Sequence, residues 1–380
     1  MLPVWGIVTI LIGSAAALGY QGLAIVFAYQ MPRLEPDRAP AVPVELPTIS
    51  VVIAARNEEL DLPGTLDDLL AQDYPNLEIL VVEDGSTDGT RAVIESRAPR
   101  VRLVAEGPLP DGWIGKNWAC ATGARAATGE WLLFLDADVR MHPSTVRVAF
   151  GWAQAERADL TTLGTRIEMV GFWERLVMPF YVQRVLTGFR TPRVNHDRSR
   201  AAMANGQFWL TRRSTYERIG GHAAVRSEVV EDVALARRYR AAGLRLRVAW
   251  APDLARTRMY RDRHELFEGL VRTTRGAGTS SARLAADGVA IAGFFLLPLA
   301  VLPLGLLTGS LLLTGVGGFL WIALFGKHVG FDRAIGAPAI YGLLFPASAG
   351  FYVVVVAAAI GQRLRGAPIR WKGRGYARAG

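Results

Sequence analysis

The chain has 380 residues, of which 51% are hydrophobic and 20% charged, with a single cysteine, Cys120. That content excludes a disordered chain and a disulfide-stapled secreted scaffold. The formal charge of +9, from 43 basic and 34 acidic residues, points towards nucleic acid only until the positions of the charges are considered.

Three runs carry no charged side chain: residues 2–32, 288–326 and 334–362. About 20 apolar residues cross the hydrocarbon core as a helix, so each run is a membrane segment. The 39-residue run 288–326 has room for two crossings broken near Thr308-Gly309-Ser310, or for one crossing and a re-entrant piece. No Lys or Arg precedes the first run, and Arg33 and Arg38 follow it. It therefore reads as an uncleaved anchor with the next domain in the cytoplasm, not as a signal peptide. The expected organisation is an anchor over 1–32, a polar domain over 33–287, membrane segments over 288–362 and a basic tail over 363–380. The polar domain divides by charge: residues 33–138 hold 9 basic and 19 acidic groups (net −10), and residues 139–287 hold 26 and 14 (net +12). The tail adds +6 with no acid. The basicity is regional, and an acidic sheet-bearing half argues against nucleic acid as a partner. Lysine occurs only at 116, 327 and 372, the other basic residues being arginine.

In chain order, Ile49-Ser-Val-Val-Ile-Ala54 is a β-branched run of the kind found in buried parallel strands. Arg56-Asn57-Glu58-Glu59 then opens a helical stretch reaching Ala71. Glu78–Val82 predicts a second strand and runs into Glu83-Asp84-Gly85-Ser86-Thr87-Asp88-Gly89-Thr90, where Asp and Ser are placed to cap a helix. Val101–Val104 predicts a third strand, 117–127 a helix, and Trp131–Leu135 a fourth strand. Strands alternating with helices imply a parallel α/β sheet, whose ligands sit at the carboxyl ends of the strands.

Those ends carry the candidate chemistry. Asp84 follows one strand, and Asp136-Ala137-Asp138 follows another. Two carboxylates two residues apart suit Mg²⁺ or Mn²⁺ with phosphate oxygens completing the shell. Taken alone such a pair is more often a helix cap, here before His142-Pro143. Further on, Glu231-Asp232 opens a helix, where an acidic first turn also favours the helix dipole.

Together these residues resemble family 2 glycosyltransferases. The matching pieces are Val51-Val-Ile-Ala-Ala-Arg-Asn-Glu58, Val82-Glu-Asp-Gly-Ser-Thr-Asp-Gly89, Gly115-Lys116-Asn117-Trp118-Ala119, Phe134-Leu-Asp-Ala-Asp138, and Gly220-Gly221 through Glu231-Asp232 to Arg237-Arg238. They follow the family's order over roughly residues 48–250. The 109–116 stretch and the late membrane segments look most like the bacterial branch associated with hopanoids and carotenoids. The resemblance implies a GT-A catalytic domain, Rossmann-like with a mostly parallel sheet, flanked by transmembrane helices.

By that resemblance Asp84 binds the uracil or ribose of a nucleotide-sugar, flanked by Ala54, Arg56 and Glu58. Lys116 meets the ribose or diphosphate, Asp136 the nucleotide, and Asp138 a Mg²⁺ or Mn²⁺ ion on the diphosphate. Asp232 is the general base, and Gly206, Gln207, Glu231 and Trp173 lie towards the acceptor. The first motif's usual proline is Ala54 here. The Gln-x-x-Arg-Trp motif of processive synthases is absent after Asp232, the nearest basic pair being Arg272 and Arg275, which argues for adding one sugar. One base without a separate nucleophile implies inversion.

Residues 172–189 place Trp173, Leu176, Val177, Phe180 and Tyr181 near one helical face, with Arg175, Arg184 and Arg190 beside it. This fits an interfacial helix against anionic lipid or a helix packed on the sheet. The expected acceptor is a lipid or isoprenoid, in the bacterial inner membrane. A cytoplasmic tail requires an even number of crossings after Asp287, which conflicts with three obvious helices and makes one segment within 288–326 re-entrant or interfacial. A polyprenyl-phosphate sugar transferase and a non-catalytic nucleotide-sugar-binding protein share the donor motifs. His222 and His264 are further candidate site groups, and Cys120 is expected to be a packed small side chain.

Overall fold

The computed structural model describes residues 4–38, 45–276 and 280–376, so the last four tail residues lie outside the described residues. The chain forms two compact units. One comprises Met31–Glu168, Phe189–Met259 and Pro368–Gly380; the other comprises Met1–Gln30, Met169–Gly188 and Tyr260–Ala367. The α/β unit thus takes its last strands from the far end of the chain, while 169–188 and 260–287 group with the apolar helices.

Its strands are β1 (Ile49–Ala55), β2 (Leu77–Glu83), β3 (Val101–Ala105), β4 (Trp131–Asp136), β5 (Val139–Met141), β6 (Leu160–Gly164), β7 (Arg166–Ile167), β8 (Phe208–Arg212), β9 (Leu246–Trp250), β10 (Ala255–Thr257), β11 (Ile369–Trp371) and β12 (Arg374–Tyr376). Seven of them form one sheet in the order β3-β2-β1-β4-β8-β6-β9. The first four strands of that order run parallel, and β8 is antiparallel to both its neighbours. β5, β10 and β7 form a small second sheet, and β11 and β12 form a hairpin.

β1 through β4 match the expected strands to within a residue at most ends, and in β1, β2 and β4 buried Val, Ile and Leu fill both faces. The first helix is shorter than expected. It runs Leu62–Leu70, since residues 57–61 form turns and Pro63 stands at its start. After Asp138 the chain enters β5 and only then, past Ser144, a helix over Thr145–Ala155. The Asp-x-Asp pair therefore bridges two strands and caps no helix.

The order reverses between β1 and β4: β2 and β3 extend the sheet to one side, β4 to the other. Such a switch point leaves a crevice at the carboxyl edge. Register puts Ala54 opposite Asp136 there. β8 is held on β4 by the cross-strand pair Phe134 and Trp209, whose rings stack with centroids 4.4 Å apart. That pairing fixes the loop before β8 against Asp136, whose N–H donates to the Gln207 carbonyl at 3.3 Å.

Among the described residues the helical unit has four helices long and apolar enough to cross a membrane: Trp5–Gln30, Ser281–Thr308, Leu311–Ala334 and Ala339–Leu364. Their outer faces expose large apolar side chains, including Trp5, Leu307, Leu311 and Ile322, that water would not favour. The run 288–326 holds parts of two such helices, reversing at Gly309. The helix Phe172–Gly188 buries Leu176, Val177, Phe180 and Gln183 within this unit, packed against Val4–Gln30 and Phe345–Leu364. Within that unit its partners are apolar helices. Polar groups in the unit pair with one another: Arg184 donates to Tyr20 Oη at 2.7 Å and joins Asp287, and Lys327 Nζ donates to Gln183 Oε1 at 2.6 Å.

Candidate functional site

Each strand of the parallel half ends in polar residues at the same edge. Ala54, Arg56 and Glu58 follow or close β1, Asp84 follows β2, and Glu106 follows β3. Asp136 closes β4 and Asp138 stands two residues on. The helix Gly115–Ala126 brings Lys116, the loop before β8 brings Gly206 and Gln207, and the helix Glu231–Ala241 brings Glu231 and Asp232 in its first turn. Both readings of that acidic turn hold together, since the same residues start the helix and face the crevice.

Lys116 lies at the centre. Its Nζ is 2.8 Å from Asp136 Oδ1 and 2.8 Å from Glu231 Oε1. Burial alone would discharge this ammonium, but Asp136 and Glu231 outweigh it and hold its pKa well above the ordinary lysine value. Gly206 closes the other side. Its N–H donates to Asp232 Oδ2 at 2.8 Å, and a Cβ there would meet Lys116 Nζ at 3.2 Å and Asp232 Oδ2 at 3.3 Å. Glycine is what permits this approach. A small pocket at this edge is lined by Ala54, Lys116, Asp136, Gly206, His222 and Glu231, among others.

Burial pushes the Asp232 carboxyl up to about 7, Glu231 adds to the rise, and Lys116 opposes it. Asp138 is likewise raised to about 7, by burial first and then by the charges of Asp136 and Glu58, while Thr257 Oγ1 donates to it at 3.1 Å. Glu58 is raised by burial against the pull of Lys372. Carboxylates that repel one another in a poorly solvated edge fit a divalent cation, which relieves the repulsion. The oxygen-only donor set suits Mg²⁺ or Mn²⁺. Among the described residues no three such side chains already stand together as a ligand cluster.

Gln207 turns its side chain to protein partners, accepting hydrogen bonds from Thr165 and from Asn205 at 2.9 Å. Trp173 belongs to the helical unit, where its ring packs on Phe351 and under the Arg263 guanidinium. His222 is buried and neutral: burial, and then Lys116, press its pKa down to about 3, and its Nδ1 meets Tyr216 Oη at 2.9 Å. It shapes the pocket wall. His264 is exposed on a helix of the other unit. Cys120 is buried at the pocket, with its thiol pushed up by burial, and so is unreactive.

Four residues at this edge were not expected. Glu106 could have been found by the rule that marked Asp84, since both follow parallel strands. Lys372 is one of only three lysines. Arg374 and Tyr376 carry no local signal, because only the folded tail brings them to Asp84 and Gly115.

Residues 50–220 match the profile of glycosyl transferase family 2. The chain is 28% identical to a 4,4'-diaponeurosporenoate glycosyltransferase of Staphylococcus haemolyticus over 50% of this chain and 51% of that protein. It is 28% identical to one of Staphylococcus aureus over 63% and 64%. The chain thus spans between half and two thirds of the length of these curated relatives. Among solved structures it superposes on a mannosyltransferase from Pyrobaculum calidifontis in complex with GDP-Man and Mn²⁺, with a TM-score of 0.53, 18% identity, and coverage of 93% of this chain and 99% of that one. The fold is of the GT-A type shared with that mannosyltransferase, and residues 50–220 of this chain are similar to the glycosyl transferase family 2 domain.

Proposed function

We propose that the chain is a membrane-bound glycosyltransferase that moves one sugar from a nucleotide-sugar, a UDP-sugar by preference, to a carotenoid-type isoprenoid acceptor. The observation that carries this reading is Lys116 held between Asp136 and Glu231 in a crevice that also contains Asp232. A family 2 profile over the same strands and acceptors named in the Staphylococcus relatives support it.

In this reading Asp84 and the β1 loop hold the base, and Lys116 neutralises the edge on which the diphosphate rests. Asp136 and Asp138 would hold a Mg²⁺ or Mn²⁺ ion, which when bound offsets the charge that develops on the leaving diphosphate. Asp232 accepts the proton of an acceptor hydroxyl, and the oxygen then attacks the anomeric carbon from the face opposite the leaving group. One displacement inverts the centre. A second reading concerns the nucleophile alone. The relatives' printed acceptor name denotes a carboxylate, which arrives without a proton and needs no base.

The α/β unit contains residues on both flanks of 260–367, and three apolar helices lie within that segment. A domain on one side of the membrane requires an even number of complete crossings between those flanks. In this reading one of the three stops short of a full crossing, and both ends of the segment face the cytoplasm.

Five measurements test this. Asp232→Asn lowers kcat for a hydroxyl acceptor by about 10²–10⁴-fold. In the wild type the rate rises with pH towards a plateau above about 7, because only the ionised form accepts a proton. A flat profile and a mild Asp232→Asn effect would point to the carboxylate acceptor. EDTA abolishes UDP release from UDP-glucose, and Mn²⁺ or Mg²⁺ restores it. Asp138→Asn raises the metal concentration needed at least tenfold, and full activity in EDTA would contradict the metal. A cysteine at Arg365 resists an impermeant maleimide in intact cells and reacts once they are opened; labelling from outside would refute the even count.

A further inference from the structure

The last described residues form a built element. β11 and β12 pair antiparallel, with Trp371 opposite Arg374, across a two-residue turn of Lys372 and Gly373. Both turn residues have positive φ, +44° and +79°, as a type I′ hairpin requires. Lysine rarely adopts that conformation, so its neighbours must hold it there. Lys372 Nζ donates to the Arg56 carbonyl at 2.8 Å and pairs with Glu58, while Arg56 Nε donates back to the Lys372 carbonyl at 3.1 Å. Tyr376 Oη accepts the Gly115 N–H at 3.2 Å. The hairpin is thus tied to the β1 loop and to the helix that carries Lys116.

Arg374 stands between these ties, over Asp84. Its Nη1 is 2.6 Å from both Asp84 oxygens. One nitrogen makes both contacts, so this is not the fork-to-fork pair that locks an arginine on a carboxylate. The Asp84 side chain is only 7% exposed beneath it. Both carboxyl oxygens of Glu106 are buried against the Asp84 carboxylate, with no partner beyond it among the described residues. A buried polar group in that condition calls for an explanation. Burial, and then the charge of Asp84, push the Glu106 carboxyl up to about 8, so near neutrality it carries a proton to donate.

We infer that the C-terminal hairpin is a wall of the donor pocket and that Arg374 is a base-reading residue. In the free protein Arg374 neutralises Asp84. With donor bound, Asp84 accepts the imide N–H of a uracil, and Arg374 turns to donate to a flanking carbonyl. Glu106 donates to the other. Donor, acceptor, donor along the protein edge complements the carbonyl, N–H, carbonyl edge of uracil. Guanine offers one carbonyl and two N–H donors, and leaves one protein donor facing a donor. This inference rests on Asp84 being the base-binding residue.

The test is UDP and GDP binding to the purified full-length protein in detergent with Mn²⁺. Pyrophosphate with Mn²⁺ serves as the base-free probe. The wild type should prefer UDP. Arg374→Gln should weaken UDP about ten- to a hundredfold, as loss of a charged hydrogen bond does, and leave pyrophosphate unchanged. Arg374→Lys, which keeps the charge, should recover part of the loss and guards against a variant that merely misfolds. Asp84→Asn should also weaken UDP. Unchanged UDP binding in Arg374→Gln beside a loss in Asp84→Asn would overturn the hairpin's role alone. Tighter UDP binding in Arg374→Gln would overturn it too, since the hairpin would then be a plug that competes with the base. If Asp84→Asn left UDP untouched, the reading of the pocket itself would fall. A wild type that preferred GDP would overturn the base assignment.

Discussion

The site depends on one electrostatic constraint: acidic side chains from several loops converge on the carboxyl edge of a buried parallel sheet, where water screens them poorly. Carboxylates this close cannot all stay ionised without cations of their own. Lys116 supplies the fixed charge, shared between Asp136 and Glu231. Arg374 covers Asp84 and Lys372 covers Glu58. Asp138 and Asp232 are left with raised proton affinity. These two are the groups to which the proposed chemistry assigns a cation and a substrate proton.

The fold serves that constraint by keeping the edge rigid. β1 and β4 meet at the switch in strand order, so Ala54 and Asp136 face each other with no freedom of register. The Phe134–Trp209 stack pins β8 to β4, and through it Gly206 to Asp232. A side chain at Gly206 would press on the lysine and the aspartate together. The packed aromatic pair and the missing Cβ thus do one job, setting the distances between Lys116 and the carboxylates around it.

The parallel strands and their acidic ends were legible in the sequence because buried strands need uninterrupted Val, Ile and Leu, and because Asp84, Asp136 and Asp138 stand immediately after them. The regional charge was legible too, and it turned an overall +9 away from nucleic acid. The turns over 57–61 were not, since local propensity says little about a stretch in which Asn57 takes a positive φ and accepts a hydrogen bond from Thr87. The fold of the tail was not legible. Its Lys372 and Arg374 pair with Glu58 and Asp84, some 290 or more positions earlier. Nothing in a short basic segment specifies so distant a partner. The membrane runs were plain, but the division of 169–188 and 260–287 between units was not, because it is decided by packing.

The most direct test of the account is turnover of UDP-glucose with Mn²⁺ and isoprenoid extract by the purified chain, comparing wild type with Lys116→Met. The account predicts UDP release by the wild type and a loss of about a hundredfold or more in the variant, with folding retained. A Lys116→Met protein that turned over donor as fast as the wild type would contradict it, because the charge on which the acidic edge depends would then be dispensable.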